Sequence, residues 1–333
     1  MSGVGRVVLI GEVLVDFLGE GGAALEEARA FRPSPGGAPA NAAVAAARAG
    51  ASAAFVGSVG GDAFGRLLRQ ALVGAGVDGA LLRTHPTLFT TLAFVLPLAR
   101  GDAGFQFLRG ADAALAPGDV GDEVLRGAAG LGCGGVSLSA PESRAATLHA
   151  LQRARALGVP ACFDVNWRPR LWPSASAGAA AAREAAALAE VLKCNEAELE
   201  LLADAEGSAE DRARRLLAAS RGAPGGPAAV VVTRAERGAL WVTPDAVAAH
   251  PGFEVQAVDA VGAGDCFLGT MLAWWAGAAP GSSAVGPAAM SIAEAEQMLR
   301  RCCAAAALQT TRPGAMAAMP DRGEVDAFLR ARG

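Results

Sequence analysis

The segment "VDAVGAGDCFLGTMLAWW", Val258 to Trp275, places three small residues and a carboxylate directly before an apolar stretch. The composition of 263–275 predicts a helix, so Gly262 and Asp265 would lie at its N-terminus. Helix N-termini attract anions through unpaired N–H groups and the helix dipole, and glycine lets the backbone come close to a phosphate. A carboxylate there is useful when it takes a proton from a hydroxyl that attacks the phosphorus. The segment therefore favours phosphoryl transfer, with the amides stabilising the developing charge; an ordinary helix start with an acidic first turn is the alternative.

This glycine-rich loop does not match two common nucleotide-binding motifs. It lacks the GK[ST] ending of a Walker A loop, and it is not the GxGxxG that follows a strand in dinucleotide-binding folds. The first predicted strand runs into "LIGEVLVD", where Gly11 is the single glycine. A nicotinamide-dependent oxidoreductase is therefore disfavoured.

Composition disfavours several other classes of protein. The 333 residues carry a net charge of −4 and no long run of Lys or Arg, so no nucleic-acid partner is expected. The longest apolar run, Cys266 to Ala279, is too short to cross a bilayer, and the first residues lack a signal-peptide pattern, so no membrane partner is expected. Six scattered cysteines form no CxxC pair, and there are three histidines. A zinc site and disulfides are disfavoured, and a cytoplasmic location is expected.

Short β-branched runs that alternate with alanine-rich stretches must position the candidate residues. The predicted strands are 7–10, 53–56, 136–138, 161–164, 191–193 and 230–233. The predicted helices are 40–49, 65–75, 143–157, 179–188, 209–219 and 263–275. Strands and helices that alternate at this spacing predict an α/β fold with a mostly parallel sheet. The run "AVVVT" has the continuous apolar character of a parallel strand buried on both faces.

Some extended segments lack an intervening helix. Residues from about 12–18 and 28–33 would form one pair, and 87–110 would form a second pair around the turn "ARGDAG". We expect them to build a small antiparallel β sheet that is attached to the α/β body and covers a site as a lid. Exposed sheet edges need cover, which favours a homodimer that pairs lid on lid.

Several segments together resemble one family. "DAVGAGDCF" resembles the DTxGAGDxF signature of the ribokinase-like (PfkB) carbohydrate kinases, and "PGGAPANAAVAAARAGASAAFVGSVGGDAFG" and "KCNEAEL" are similar to two further signatures. "FDVNWRPRLWP" resembles a segment of the fructokinase and 2-keto-3-deoxygluconate kinase branch, and "AAAALQTTRPGAMAAMP" resembles the closing segment. The resemblance covers nearly the whole chain in the family's order. It implies one domain over 1–333 with a doubly wound, mostly parallel sheet and a β lid, and ATP-dependent phosphorylation of a sugar hydroxyl.

The resemblance also implies roles for individual residues. Asp265 would be the catalytic base, and the backbone amides of Gly262, Ala263 and Gly264 would form the anion hole. The sugar-binding positions would be Asp16, Gly36, Gly37 and Asn41. Short polar side chains suit sugar hydroxyls, and paired glycines let the backbone approach the ring. From the residues alone, "PGGAPAN" is a loop before a helix.

The nucleotide and metal positions follow from the same resemblance. Asn195 and Glu198 match the NxxE motif, which orders Mg²⁺ and phosphates largely through water; a helix cap with a first-turn acid is the alternative. Asp259 and Val261 fall where the family often binds a monovalent cation through carboxylate and backbone oxygens. The implied cofactors are therefore ATP and Mg²⁺, with K⁺ at the cation position.

The nucleotide loop departs from the family pattern. Where TLGxxG is usual, residues 233–238 read "TRAERG", so Thr233 and Gly238 remain as nucleotide-binding positions while Arg234-Ala235 replace Leu-Gly. This change bears on nucleotide affinity and on the choice of phosphate donor. Ala260 replaces the usual Thr of DTxGAGD, which is a mild change.

Two arginines bear on the choice of sugar. Arg109, at the end of the predicted lid, and Arg168, in "DVNWR", are expected to bind substrate; surface salt bridges are the alternative. An inward-pointing pair would suit the carboxylate of 2-keto-3-deoxygluconate. However, the chain has no tyrosine and carries Leu108 where a ketodeoxygluconate kinase would have a lid tyrosine, and "GGAPAN" is closer to fructokinases. Fructose is the expected substrate, with 2-keto-3-deoxygluconate or another sugar as alternatives and a non-catalytic sugar or nucleotide sensor as the alternative from another class.

Overall fold

The structure is a computed structural model that describes residues 4–22, 24–96, 104–203, 206–220, 225–282 and 286–332. Its strands are β1 (Arg6–Ile10), β2 (Leu14–Glu20), β3 (Ala30–Gly36), β4 (Ser52–Gly60), β5 (Leu82–His85), β6 (Leu92–Leu96), β7 (Gly104–Leu108), β8 (Gly130–Gly134), β9 (Ala161–Asp164), β10 (Val191–Asn195), β11 (Ala229–Thr233), β12 (Ala239–Val242) and β13 (Val247–His250). Its α-helices are α1 (Ala38–Arg48), α2 (Ala63–Gly74), α3 (Asp122–Leu125), α4 (Pro141–Ala156), α5 (Ala175–Leu188), α6 (Glu196–Ala203), α7 (Ala209–Ser220), α8 (Ala263–Trp275), α9 (Ile292–Thr310) and α10 (Arg322–Ala331).

Nine of the described strands form one large sheet in the order β13-β12-β11-β10-β9-β8-β1-β4-β5. Neighbours from β11 to β5 are parallel, while β12 and β13 run antiparallel at one edge. The chain begins at β1, continues to β4 and β5 on one side, and later returns to β8 on the other. Ligands of open α/β sheets bind outside the carboxyl ends of the strands where the strand order reverses in this way. The predicted α/β class with a mostly parallel sheet is confirmed.

Helices cover both faces of the large sheet. Within β1, Val7 and Leu9 pack into one buried cluster with residues of α1, α8 and α9, whereas Val8 and Ile10 pack into another with residues of α4 and α5. Burial of both faces explains why the parallel strands read as continuous apolar runs in the sequence.

A second sheet has four strands in the order β3-β2-β6-β7. Its outer pairs are antiparallel, but β2 and β6 are parallel, from Val15 opposite Leu92 to Leu18 opposite Val95. The expectation of an all-antiparallel small sheet is therefore wrong. Parallel neighbours need a long crossover connection, and 21–91, with β3, α1, β4, α2 and β5, provide it. Residues 97–103, which hold most of the predicted "ARGDAG" turn, lie outside the described residues.

The strand predicted at 136–138 is also wrong. That segment lies in a 3₁₀ helix, Gly135–Ser139, and the strand is the preceding "GLGCG" of β8. A Cβ on Gly132 would lie 2.5 Å from Leu9 Cδ1 and 2.8 Å from Leu272 Cδ1, so β8 passes too close to its neighbours for a side chain. Glycine has low strand propensity, and here the tertiary environment outweighs that propensity.

Several elements near the C-terminal end were not predicted, namely β12, β13, α9 and α10. The start of α9 had a usable signal, because Ser291 and Glu294 form a capping box. The pattern S-x-x-E before a helical stretch marks a helix N-terminus in sequence.

Helices α1 and α8 pack so closely that a glycine is needed between them. A Cβ on Gly269 of α8 would overlap the carbonyl oxygen of Ala42 and lie 2.6 Å from the Cβ of Ala45, both in α1. This contact sets the separation of the two helices, whose first turns carry Asn41 and Asp265.

We expect Gly269→Ala to lower the free energy of unfolding by about 1–3 kcal/mol, because the added methyl group forces α1 and α8 apart. Urea unfolding followed by circular dichroism measures this loss. Gly74→Ala at the end of α2 is the matched control, since no atom lies within 4 Å of its Cβ position. An equal loss of stability in the two variants would contradict the packing argument.

Candidate active site

Polar side chains collect where the parallel strands of the large sheet end. Asp164 is the last residue of β9, Asn195 of β10 and Thr233 of β11, while Gly11 and Glu12 directly follow β1. Because parallel strands present their carboxyl ends at one edge, these residues share that edge of the sheet.

Asn41 and Asp265 are in direct contact. Asn41 Nδ2 donates a hydrogen bond of 2.8 Å to Asp265 Oδ2. Asn41 is 5% exposed, and its Oδ1 has no hydrogen-bond partner among the described residues. A residue predicted to bind sugar therefore orients the residue predicted to be the catalytic base, and it keeps one acceptor available.

Gly262 caps the N-terminus of α8 in a conformation that favours glycine. Its φ of 86° lies in the left-handed region, and a Cβ there would lie 2.9 Å from the Cβ of Ala315. The Ala263 amide donates to the Ala260 carbonyl over 3.2 Å. Lys193 Nζ lies 3.4 Å from the Cβ position of Gly264. The N-terminus of α8 thus has an ammonium group beside it, which adds to its attraction for anions; the anion-hole role of the amides stays a prediction.

Asp16 and Arg168 lie within electrostatic reach of Asp265. The Asp16 carboxylate fills the space that a side chain on Gly36 would occupy. Burial raises the pKa of Asp16 to about 7, and the positive charge of Arg168 opposes that rise. Burial also raises the pKa of Asp265 to about 6, while the hydrogen bond from Asn41 lowers it. Arg168 lowers the pKa of Asp265 as well, so this exposed arginine favours the ionised form of both carboxyl groups.

The sequence analysis missed a buried ion pair, Lys193 with Asp164. Lys193 Nζ donates to Asp164 Oδ2 over 2.7 Å, and both side chains are less than 7% exposed. Burial lowers the pKa of Lys193, but the neighbouring Asp164 carboxylate raises it, and the net change is upward. The lysine therefore stays charged. A signal was available, since both residues lie in the quoted segments "FDVNWR" and "KCNEAEL", and a lysine inside a buried strand is unusual.

Asn195 and Glu198 form a reciprocal helix cap at the start of α6. Glu198 Oε2 accepts from the Asn195 amide over 2.8 Å, and Asn195 Oδ1 accepts from the Glu198 amide over 2.9 Å. Glu198 Oε1 also accepts from the Trp167 amide over 2.7 Å, which connects the segment after β9 to that after β10. These residues, with Arg168 and Leu201, line a cavity of about 330 Å³. The alternative prediction, a helix cap with a first-turn acid, is therefore confirmed. The cap also places Glu198 at a cavity large enough for a ligand.

Asn166 is a further residue that the sequence analysis did not select. Its φ of 41° is in the left-handed region, where asparagine is among the tolerated residues, and its Nδ2 is buried with no partner among the described residues. An unsatisfied buried donor directly before Trp167, which lines the cavity, is a candidate for a ligand or water contact.

Arg109 is largely engaged by the protein itself. Its Nη1 donates to Ser139 Oγ over 2.7 Å, and its Nη2 lies 2.8 Å from Asp112 Oδ2. Next to this group, Glu12 accepts from Ser137 Oγ over 3.0 Å and from the Ala38 amide over 3.3 Å. Burial raises the pKa of Glu12 to about 7. Arg109 thus belongs to a buried polar cluster, and its contact with a sugar stays a prediction.

This cluster also supports the glycine pair predicted to bind sugar. Gly37 has a φ of 103°, and a Cβ there would lie 2.5 Å from the carbonyl oxygen of Glu12. A side chain at this position is therefore excluded by conformation and by space. The following helix α1 carries Asn41 toward Asp265.

The loop after β11 is closed by a backbone hydrogen bond and contains two residues with positive φ. Arg234 N donates to the Gly238 carbonyl over 2.7 Å, and Gly238 adopts a φ of 77°. Ala235, where the family usually has glycine, has a φ of 51°. A non-glycine residue in this region carries conformational strain of about 1–3 kcal/mol. The replacement is accommodated in the fold, and the roles of Thr233 and Gly238 in nucleotide binding stay predictions.

The oxygens predicted to bind a monovalent cation already accept hydrogen bonds from the chain itself. Asp259 accepts two backbone amides, from Val261 over 2.9 Å and from Gly314 over 2.8 Å. The Val261 carbonyl accepts from Gln309 Nε2 over 2.6 Å.

Comparison with known proteins identifies relatives along almost the whole chain. The profile described as "pfkB family carbohydrate kinase" matches residues 4–322. Fructokinase-1 of Zea mays is 34% identical over 325 residues, which are 96% of each chain. The crystal structure of a fructokinase with bound ATP from Xylella fastidiosa has a TM-score of 0.87 at 32% identity and covers 98% of each chain. A fructokinase from Vibrio cholerae O395, in a form with bound fructose, ADP and calcium ion, has a TM-score of 0.84 at 31% identity and covers 98% of this chain and 99% of that one.

The pKa of Asp16 is about 7 and that of Asp265 is about 6. We expect activity to fall as the pH drops through these values, since Asp265 must be ionised to accept a proton. Asn41→Leu removes the bond that lowers the pKa of Asp265, so the acidic limb of kcat/KM should move up by about one pH unit. The two carboxyl groups interact, so the limb reports the pair. Gln152→Leu, an exposed amide of α4, is the control; an unmoved limb in Asn41→Leu would contradict the assignment.

Proposed function

The chain belongs to the pfkB family of carbohydrate kinases, and we propose that it is a fructokinase that transfers the γ-phosphate of ATP to a fructose hydroxyl. One observation carries the proposal: Asp265 is oriented by Asn41 at the N-terminus of α8, where a base and an anion site coincide. Fructokinases that match this chain along nearly their whole length support fructose as the acceptor.

Asp265 accepts the proton of the attacking hydroxyl as the bond to phosphorus forms and the bond to the ADP leaving group breaks. A base with a pKa of about 6 is mostly ionised at neutral pH and still accepts a proton readily. Asn41 holds Oδ2, which leaves the other carboxylate oxygen for the hydroxyl. The amides of Gly262 and Gly264, together with Lys193 near Gly264, face the charge that develops on the transferred group. The Ala263 amide would join them on leaving the Ala260 carbonyl, to which it donates.

The sugar is held by Asp16, Asn41 and the backbone of Gly36 and Gly37 in this proposal. Arg168 lies close enough to Asp16 for its positive charge to lower the pKa of that carboxyl group. A carboxylate-binding pair of arginines would need Arg109, but its Nε donates to Asp112 and its Nη1 to Ser139 and the Val136 carbonyl. Its Nη2 makes no hydrogen bond among the described residues and is buried beside the Asp112 carboxylate, which already balances the charge. This engagement favours a neutral sugar over 2-keto-3-deoxygluconate, which remains the alternative together with other sugars of the family.

ATP would lie along the ends of β10 and β11, in reach of Asn195, Thr233 and Gly238. When bound with the nucleotide, Mg²⁺ offsets the charge of the phosphates. Glu198 suits an indirect role, because its two oxygens already accept backbone amides, and Mg²⁺ keeps several waters. A dependence of rate on Mg²⁺ concentration that is unaltered in Glu198→Gln would contradict this role.

We expect Asp265→Asn to fold normally and to lose about 10²–10⁴-fold in kcat, because the amide cannot accept the hydroxyl proton. ADP release with ATP and Mg²⁺ is measured for fructose and 2-keto-3-deoxygluconate in parallel. Glu296→Gln, an exposed acid of α9, is the matched control.

The outcomes separate the alternatives. A variant that keeps more than about a tenth of wild-type activity would contradict the base assignment. Turnover with the keto acid alone would contradict fructose, and binding of sugar without turnover of either substrate would favour the sensor.

We propose that a homodimer forms through the second sheet, which would act as the lid. Its edges, β3 and β7, carry Phe31 and Leu108, which are 37% and 40% exposed, and the loop before β6 carries Phe89 at 51%. Phe31→Glu should shift the mass by light scattering from two chains to one, because it places a charge in the apolar contact. Val73→Glu, an equally apolar and exposed site on α2, should leave the mass unchanged; a monomeric wild type would contradict the proposal.

A reducing compartment, the cytoplasm, is proposed as the location. All six cysteines are free and buried, and thiols persist where glutathione and thioredoxin keep them reduced. Within the described ranges, none of the helices combines the length and the apolar character needed to cross a bilayer. Location of a tagged chain by fractionation tests this.

A further inference from the structure

Gln309 is a buried glutamine whose side chain bridges two backbone carbonyl groups. It lies in the last turn of α9 and is 0% exposed. Its Nε2 donates to the Val261 carbonyl over 2.6 Å and to the Gly314 carbonyl over 2.9 Å. One nitrogen with two hydrogens thus satisfies both oxygens.

We propose that this side-chain amide takes the place of a monovalent cation, so that the enzyme does not need K⁺. A cation at Asp259 and Val261 would have to be held by carboxylate and carbonyl oxygens. The Val261 oxygen instead faces the Gln309 amide, which carries partial positive charge on its hydrogens. The inference deepens the proposed function, since it concerns the cation requirement of the same site.

The other oxygens at this position are also satisfied by the chain. Asp259 Oδ1 accepts from the Val261 amide and Oδ2 from the Gly314 amide. The Thr310 carbonyl accepts from the amides of Val258 and Asp259 over 2.7 and 3.0 Å. The segment 258–261 is therefore joined to 309–314 by four hydrogen bonds, two of them made by the side chains of Gln309 and Asp259. Each of these side chains makes one further bond within its own segment.

The orientation of the Gln309 amide follows from its surroundings. A reversed amide would set Oε1 against two carbonyl oxygens, which is repulsive, whereas Nε2 can donate to both. In the orientation observed, Oε1 is buried and has no hydrogen-bond partner among the described residues. The two donated bonds therefore take precedence over satisfaction of the acceptor.

Gln309 acts on the reaction as a positioning residue. Val261 immediately precedes Gly262, the N-cap of α8, and Gly314 immediately precedes Ala315, against which Gly262 packs. A bridge between Val261 and Gly314 thus holds the loop that places the amides and Asp265. A bound cation would hold the loop in the same way, by attracting the Val261 and Gly314 carbonyl oxygens. Here the side-chain amide of Gln309 holds both oxygens.

The test compares KCl with tetramethylammonium chloride at equal ionic strength, for the wild type, Gln309→Ala and Gln309→Glu. Two readouts are used: the melting temperature without substrates, and the initial rate with ATP, Mg²⁺ and fructose. Gln297→Ala, an exposed glutamine on the same helix, is the matched control. The melting temperature does not need turnover, so its answer is independent of whether fructose is the substrate.

We expect the wild type to melt at the same temperature and turn over at the same rate, within about twofold, in either salt. Gln309→Ala should lose about tenfold or more in rate without K⁺ and regain part of it with K⁺, with a melting temperature that K⁺ specifically raises. Gln309→Glu should depend on K⁺ more strongly, since its carboxylate cannot donate to the two carbonyls. A wild type that K⁺ activates and stabilises would overturn the proposal, because the amide would then yield its place to the cation. Gln309 variants whose rate and melting temperature are the same in the two salts would also overturn it.

Discussion

The hydrogen bond from Asn41 to Asp265 is the contact on which the arrangement of the site depends. It joins residues 224 positions apart, each in the first turn of its helix. An amide that donates to a carboxylate contributes about 1.5–3 kcal/mol in favour of the charged form. Here that contribution opposes the burial that raises the pKa of Asp265. The pKa of Asp265 therefore stays close to neutral pH, where the carboxylate is ionised and still accepts a proton. The hydrogen bond in turn requires that α1 and α8 approach as closely as Gly269 allows.

Charge is concentrated at the same edge of the sheet, in a place where charge is costly to bury. Breaking a buried ion pair such as Lys193 with Asp164 costs about 3–5 kcal/mol, because one charge is left uncompensated. A pair of apolar residues would serve the packing of β9 and β10 without that risk. Ionisable groups that are buried at the edge of a sheet therefore indicate a functional site. Here the Lys193 ammonium lies next to Gly264 at the start of α8.

Two supports hold the loops around this edge from opposite sides. On one side Glu12 accepts from Ser137 and from the start of α1, next to the Gly36–Gly37 turn. On the other side Gln309 and Asp259 join the loop before α8 to the segment after α9. Both supports consist of the chain's own side chains, bonded to backbone groups and, at Ser137, to a hydroxyl group. Backbone amides intended for an anion are thereby placed before a ligand arrives, which is what stabilisation of a transition state requires.

The sequence by itself determined the fold class, the family and the helix that begins at the glycine-rich loop. Apolar runs of strand length and the motifs GAGD, GGAPAN and NEAE are local patterns, and local patterns are legible without coordinates. The tertiary structure alone decided which polar groups meet. It paired Lys193 with Asp164 across two strands, engaged Arg109 with Asp112, set β2 parallel to β6, and turned a glycine-rich segment into the buried strand β8. Apart from the local pair of Arg109 with Asp112, each of these depends on the distance between elements far apart in the chain. Gln309, which no motif singled out, became important because folding brought Val261 and Gly314 within reach of its amide.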